Sequence, residues 1–68
     1  TIDEIEAQLD PSQFFRINRQ MIVNRQAIVE IEPYFHRKVA VKLKAMPETT
    51  PVVSRLKVSA FLQWVERG

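Results

Sequence analysis

Between Lys38 and Lys44 the chain alternates without a break, with Val39, Val41 and Leu43 on one side and Lys38, Ala40, Lys42 and Lys44 on the other. Successive side chains of a β-strand point to opposite faces, so this stretch predicts a strand with one apolar and one polar face. A lone strand has no partner for its backbone groups, so the fold must be built around a sheet. Its neighbours supply the other strands. Residues 28–34 set Val29 and Ile31 against Glu30 and Glu32, a half-buried strand, and residues 35–37 join the two as a hairpin with His36 and Arg37 at the turn. Upstream, residues 14–17 and 21–23 are short β-prone runs around the polar Asn18-Arg19-Gln20, which reads as a tight reversal with Arg19 near its tip. Asn24-Arg25-Gln26 makes a second polar break, with Asn24 placed for a local turn hydrogen bond. Residues 47–50 read as a loop and residues 51–53 as a short edge-type strand.

Helices close both ends. Thr1 and Glu4 have capping-box spacing, and Ile2, Ile5 and Leu9 share one face, so a packing helix is expected over residues 2–9, ending before Pro11. At the other end Ser54 has the character of an N-cap. Val58, Phe61, Leu62 and Val65 recur at helical spacing, with Leu56 and Trp64 widening the apolar side, so a final helix is expected over residues 55–66, stopping at Gly68. The expected fold class is mostly β: short antiparallel strands and a hairpin, flanked by a short N-terminal helix and a C-terminal helix. Phe14, Phe15, Met21, Phe35 and Phe61 are assigned to the core.

Sixty-eight residues make one small domain, and a chain of this size buries only about 60% of the surface that its unfolded form exposes. Without cysteine, and with His36 as the one imidazole, neither disulfides nor a cysteine or multi-histidine zinc site can compensate. The absence of cysteine fits a reducing cytoplasm. No apolar run has the length of a membrane span. A chain that starts at Thr1 reads as a domain excised from a longer protein. Charge is distributed unevenly. Asp3, Glu4, Glu6 and Asp10 make the first ten residues purely acidic, whereas the remainder holds all ten Lys and Arg against four acids. A basic body of this kind is suited to phosphate.

Little here supports catalysis. Serine occurs only at positions 12, 54 and 59, His36 has no carboxylate at triad spacing, and no cofactor is implied. Glu30 and Glu32 are placed to face Lys38 or Lys42 across the hairpin. Binding has better candidates. Arg55 follows the N-cap at the positive start of the last helix, where phosphate and base edges are both natural ligands. Its planar fork fits guanine O6 and N7, although covering the helix start and pairing with Glu66 fits the position equally. Arg19 has the same two readings. Ser54 could cap the helix, contact phosphate, or do both; Arg37 and Lys57 are within reach of flanking phosphates. Arg16 is assigned to the outside of its sheet.

The run Phe15-Arg16-Ile17-Asn18-Arg19-Gln20-Met21-Ile22-Val23-Asn24, followed by Val52-Val53-Ser54-Arg55, resembles the LytTR-type DNA-binding domains of bacterial response regulators. The likeness extends from Leu9 to Asn24 and from Val53 to Val65, nearly the whole chain. Asn18 stands where the family commonly has histidine, and Gln20-Met21 where it has Ser-Tyr; neither change touches the two arginines. The resemblance implies an elongated, mostly antiparallel β fold that enters the DNA major groove with loops. By position, Arg19 and Arg55 would contact bases, with Asn18, Gln20, Ser54 and nearby basic residues on the backbone. The family's domain is longer, with strands and a third DNA-contacting loop ahead of the opening helix, so residues 1–68 would be a single, N-terminally truncated LytTR-like domain. An exposed sheet edge would then favour a homodimer or higher self-association. A receiver domain upstream is also implied.

The leading expectation is sequence-specific binding of double-stranded DNA, as the output domain of a two-component transcription regulator. The alternative is a protein-interaction module that uses a basic β face and an exposed edge strand.

Overall fold

The computed structural model describes residues 1–67, and the expected stop at Gly68 lies outside them. Helix α1 (Ile2–Gln8) is followed by strands β1 (Phe14–Asn18), β2 (Met21–Asn24), β3 (Ile28–Pro33), β4 (Val39–Leu43) and β5 (Val52–Val53), then helix α2 (Val58–Arg67). Antiparallel β1 and β2 form one small sheet, and β3-β4-β5 form a second. Short 3-10 turns occupy Arg25–Ala27, Phe35–Arg37 and Arg55–Lys57.

The expected elements are present, and several owe their position to identifiable polar groups. The Thr1–Glu4 capping box opens α1, with the Glu4 N–H donating to Thr1 Oγ1 at 3.3 Å. Asn24 caps the first 3-10 turn by accepting from the Gln26 N–H at 2.9 Å, as its place in the sequence predicts. At the β3–β4 turn, His36 and Arg37 both take left-handed backbone angles (φ 57° and 63°), a conformation that costs a side chain with a Cβ.

The core lies where the two sheets meet α2. Ile17, Val23, Val41, Leu43, Val53, Phe61 and Trp64 are buried together. Phe15 packs edge-on to Phe61 with ring centroids 5.5 Å apart, and against Trp64 at 5.3 Å. The sheets are joined at β5, because the Ser54 N–H donates to the Ile17 carbonyl at 2.7 Å.

Several expectations about packing need correction. Helix α1 buries no residue, and Ile5 is half exposed; ion pairs attach the helix, with no apolar face against the core. Val29 faces solvent because β3 shifts register against β4 between Ile28 and Glu30, which breaks the strict alternation and leaves Ile28 and Ile31 to pack inward. Phe35 lies in the 3-10 turn, exposed, touching Tyr34 edge-on and not the core. The last helix begins at Val58, not Arg55, after a 3-10 turn whose tighter winding puts Leu56 out of phase with the buried face, fully in solvent.

Candidate nucleic-acid interface

Two junctions carry the arginines singled out in the sequence. The first is the β1–β2 reversal. Asn18 holds it from both ends: its Oδ1 accepts the Gln20 N–H at 2.8 Å, closing the turn, while its Nδ2 donates to the Val52 carbonyl at 2.9 Å. The turn is thereby tied to β5. Arg16 completes the support, donating from Nε to the Asn18 carbonyl at 3.1 Å and from Nη2 to the Arg19 carbonyl at 2.7 Å. Its Nη1 pairs with Asp3 and, at 3.3 Å, with Glu6, so one guanidinium links α1 to the backbone of the reversal. The Asp3 carboxylate, aided by Glu6, pushes the Arg16 pKa above the ordinary arginine value. With Arg16 holding the backbone, the Arg19 side chain is left exposed and forms no ion pair among the described residues.

The second junction joins β5 to α2. The Ser54 N–H is taken by Ile17, and its carbonyl accepts the Lys57 N–H at 2.8 Å. Its hydroxyl makes no capping bond, contrary to the expected N-cap role; the segment it precedes is a 3-10 turn closed by backbone groups. Arg55 is exposed, and the pairing with Glu66 that its position also allowed is absent. Lys57 turns inward, where Nζ donates to the Arg16 carbonyl at 3.1 Å. Asp3, Arg16, Arg19, Ser54, Leu56 and Lys57 line one open recess between the junctions.

The remaining candidates spread out from there. Gln20 is exposed beside Arg19, while Asn18 is partly buried with both amide groups engaged. Arg37 projects from the β3–β4 turn, beyond the Val39–Val53 pair, and does not line the recess. On the polar face of β4, Lys42 meets Glu32 at 3.7 Å on the diagonal of its register partner Glu30, as expected of an exposed cross-strand pair.

Sequence reasoning missed the internal use of two arginines. Arg16 supports the reversal, and Arg25 clamps the far end of α2. Arg25 Nη1 donates to the Trp64 carbonyl at 2.7 Å and to the Val65 carbonyl at 3.2 Å, Nε donates to the Ser12 carbonyl at 3.0 Å, and the guanidinium sits 4.0 Å from the Trp64 ring centroid. Their acceptors are mostly backbone oxygens, which leave no mark in the sequence. Arg16 and Arg25 thus hold the fold, while Arg19, Arg37 and Arg55 are exposed. Among the described residues no cluster of His, Asp and Glu could hold a metal, and no helix is long and apolar enough to cross a membrane.

The LytTr DNA-binding domain family model matches residues 1–66. Over 62 residues, 91% of the chain, it is 44% identical to the transcriptional regulatory protein YpdB of Escherichia coli K12; the YpdB proteins of Escherichia coli O6:H1 and Shigella flexneri match to the same extent. The chain spans about a quarter of the length of these relatives, the matched segment being 25% of each. No solved structure matches it. The two arginine-bearing junctions, their mostly β support and the match along the chain agree: this chain belongs to the LytTR DNA-binding domain family.

Proposed function

We propose that residues 1–68 bind duplex DNA sequence-specifically as part of the output domain of a two-component transcription regulator, with Arg19 and Arg55 inserted in the major groove. One observation carries this reading: Arg19 and Arg55 are exposed on braced backbone turns beside one recess, while Arg16 and Arg25 are consumed internally. A guanidinium fork held out by a fixed turn can donate two parallel hydrogen bonds to guanine O6 and N7 without first being freed from an acid. Gln20, Ser54, Arg37 and Lys57 contribute backbone contacts in this reading, and Asn18 acts mainly by fixing the turn.

The test is selection from a random duplex pool at two salt concentrations. Arg19→Ala and Arg55→Ala should each relax the selected motif, at a cost of about 1–3 kcal/mol. Lys44→Ala should leave the motif intact. Each lost phosphate contact should lower the salt slope by about one. Salt-sensitive binding with no enriched motif would sink base readout.

The alternative of a protein-interaction module draws on a different observation, the exposed Val29, Tyr34 and Phe35 along β3 and its turn. That reading requires both arginine variants to bind as the parent does. The edge of β3 also underlies a proposed self-association, which sedimentation at rising concentration would refute by returning a monomer throughout. A receiver domain upstream completes the proposed regulator.

A further inference from the structure

The DNA contact described above leaves one side chain of the recess without a role. Leu56 stands between Arg55 and Lys57 in the 3-10 turn and is 96% exposed, more than any other large apolar residue in the described chain. Its direction is set by the backbone around it. The Ser54 N–H and carbonyl are both bonded, Lys57 is drawn to the Arg16 carbonyl, and Val58 starts a helix. A leucine held out in this way gains nothing from the fold.

The company it keeps points to its target. Arg55 precedes it, and Arg19 and Lys57 line the same recess, where the one acid, Asp3, is already paired with Arg16, so the unpaired charges around this apolar group are cationic. An apolar protein surface would meet unpaired charges here, whereas DNA supplies anionic phosphates and, on one base only, an apolar group in the major groove. That group is the thymine C5-methyl.

We propose that Leu56 is a specificity-determining residue whose side chain packs on the C5-methyl of a thymine next to the base pair engaged by Arg55. The inference rests on the DNA-binding reading and adds a base that the arginines cannot select. An apolar contact of this kind discriminates by the presence of one methyl group, so its effect is modest and local.

Replacing thymine with uracil removes that methyl and leaves every hydrogen-bonding edge in place. In the full-length protein bound to its selected duplex, each thymine is changed singly to uracil and affinities are compared for the parent, Leu56→Ala and Leu56→Met. At one thymine, about one or two base pairs from the position relaxed by Arg55→Ala, uracil should weaken the parent about three- to fivefold. Leu56→Ala should bind the thymine and uracil duplexes equally, and Leu56→Met should keep most of the difference. A scan in which no thymine responds overturns the proposal, as does a Leu56→Ala variant that loses affinity but keeps the thymine preference. A marked fall in the melting temperature of Leu56→Ala overturns it as well, because it would put Leu56 against another part of the protein. An enriched motif with a silent uracil scan removes only the role of Leu56; failure to select any motif removes the DNA-binding reading along with it.

Discussion

Arg25→Ala is expected to cost this small fold a large part of its stability. The side chain makes three hydrogen bonds to carbonyls, at 2.7, 3.0 and 3.2 Å, and lies 4.0 Å from the Trp64 ring centroid. Two of those carbonyls belong to the last turn of α2, where unpaired oxygens and the negative end of the helix dipole both favour a cation. A hydrogen bond to a charged group contributes about 1.5–3 kcal/mol, and a cation–π contact about 0.5–1 kcal/mol at an exposed site. Water can solvate the carbonyls once the side chain is gone, so the contributions do not add fully. About 2–3 kcal/mol is the expected net loss. A chain of this length has roughly 3–10 kcal/mol in total. In a domain of this size each kcal/mol moves the melting temperature by about 4–8 °C, which places the shift at about 10–20 °C. Urea and thermal melts followed by Trp64 fluorescence and circular dichroism measure it. Arg25→Lys restores the charge but not the fork and should recover less than half of the loss. A double-mutant cycle with Trp64→Phe isolates the stacking part. An Arg25→Ala variant within about 0.5 kcal/mol of the parent, the range of an ordinary surface substitution, would refute the clamp.

Arg16→Gln should release α1 and loosen the β1–β2 reversal together; amide exchange at Gln20 and Met21 should quicken, and specific DNA affinity should fall although Arg19 is untouched. Phe61→Ala removes a side chain with no exposure and should cost about 3–5 kcal/mol, enough to leave the chain largely unfolded in a denaturant titration. Asp10 has a pKa depressed below its ordinary 3.8 by the Ser12 N–H and then the Ser12 hydroxyl. The stability it contributes is present above that value and is lost as the pH falls through the lower folded value. Asp10→Asn should therefore flatten the acid limb of a melt series from about pH 6 to about pH 2, and an unchanged limb would count against the carboxylate's part in the turn.

Much of this fold could be read from the sequence because its signals are local. The strand around Val41, the capping box at Thr1 and the polar reversal at Arg19 each depend on residues only a few places apart and appear where expected, although Ala40, assigned to the polar face of the strand, is buried. What escaped depends on distant partners. The register shift at Val29 is set by how β3 meets β4, and helical spacing alone could not reveal the 3-10 turn that sends Leu56 outward. The site divides along the same line. Arg19 and Arg55 stood out by position, but that Arg16 and Arg25 are held internally instead depends on acceptors distant in the sequence. For Arg25 those lie at Trp64 and Val65, 39 and 40 residues away. Asn18 was placed with the DNA backbone contacts by likeness to the family; the structure gives its amide to Val52, 34 residues on.

The two-residue strand β5 sets the point in synthesis at which the two sheets can be joined. The β1–β2 hairpin can form as soon as Asn24 has left the ribosome, and the β3–β4 hairpin follows once Leu43 is out. Neither has its final neighbour yet. Only when residues 52–54 emerge can β5 add to β4 and receive the Ser54–Ile17 hydrogen bond. At about 5–20 residues per second the first hairpin waits a few seconds with Ile17 and Val23 uncovered. The Arg25 clamp closes later still, with Trp64. The recess is thus assembled late, only after the segment that carries Leu56 and Lys57 has been made.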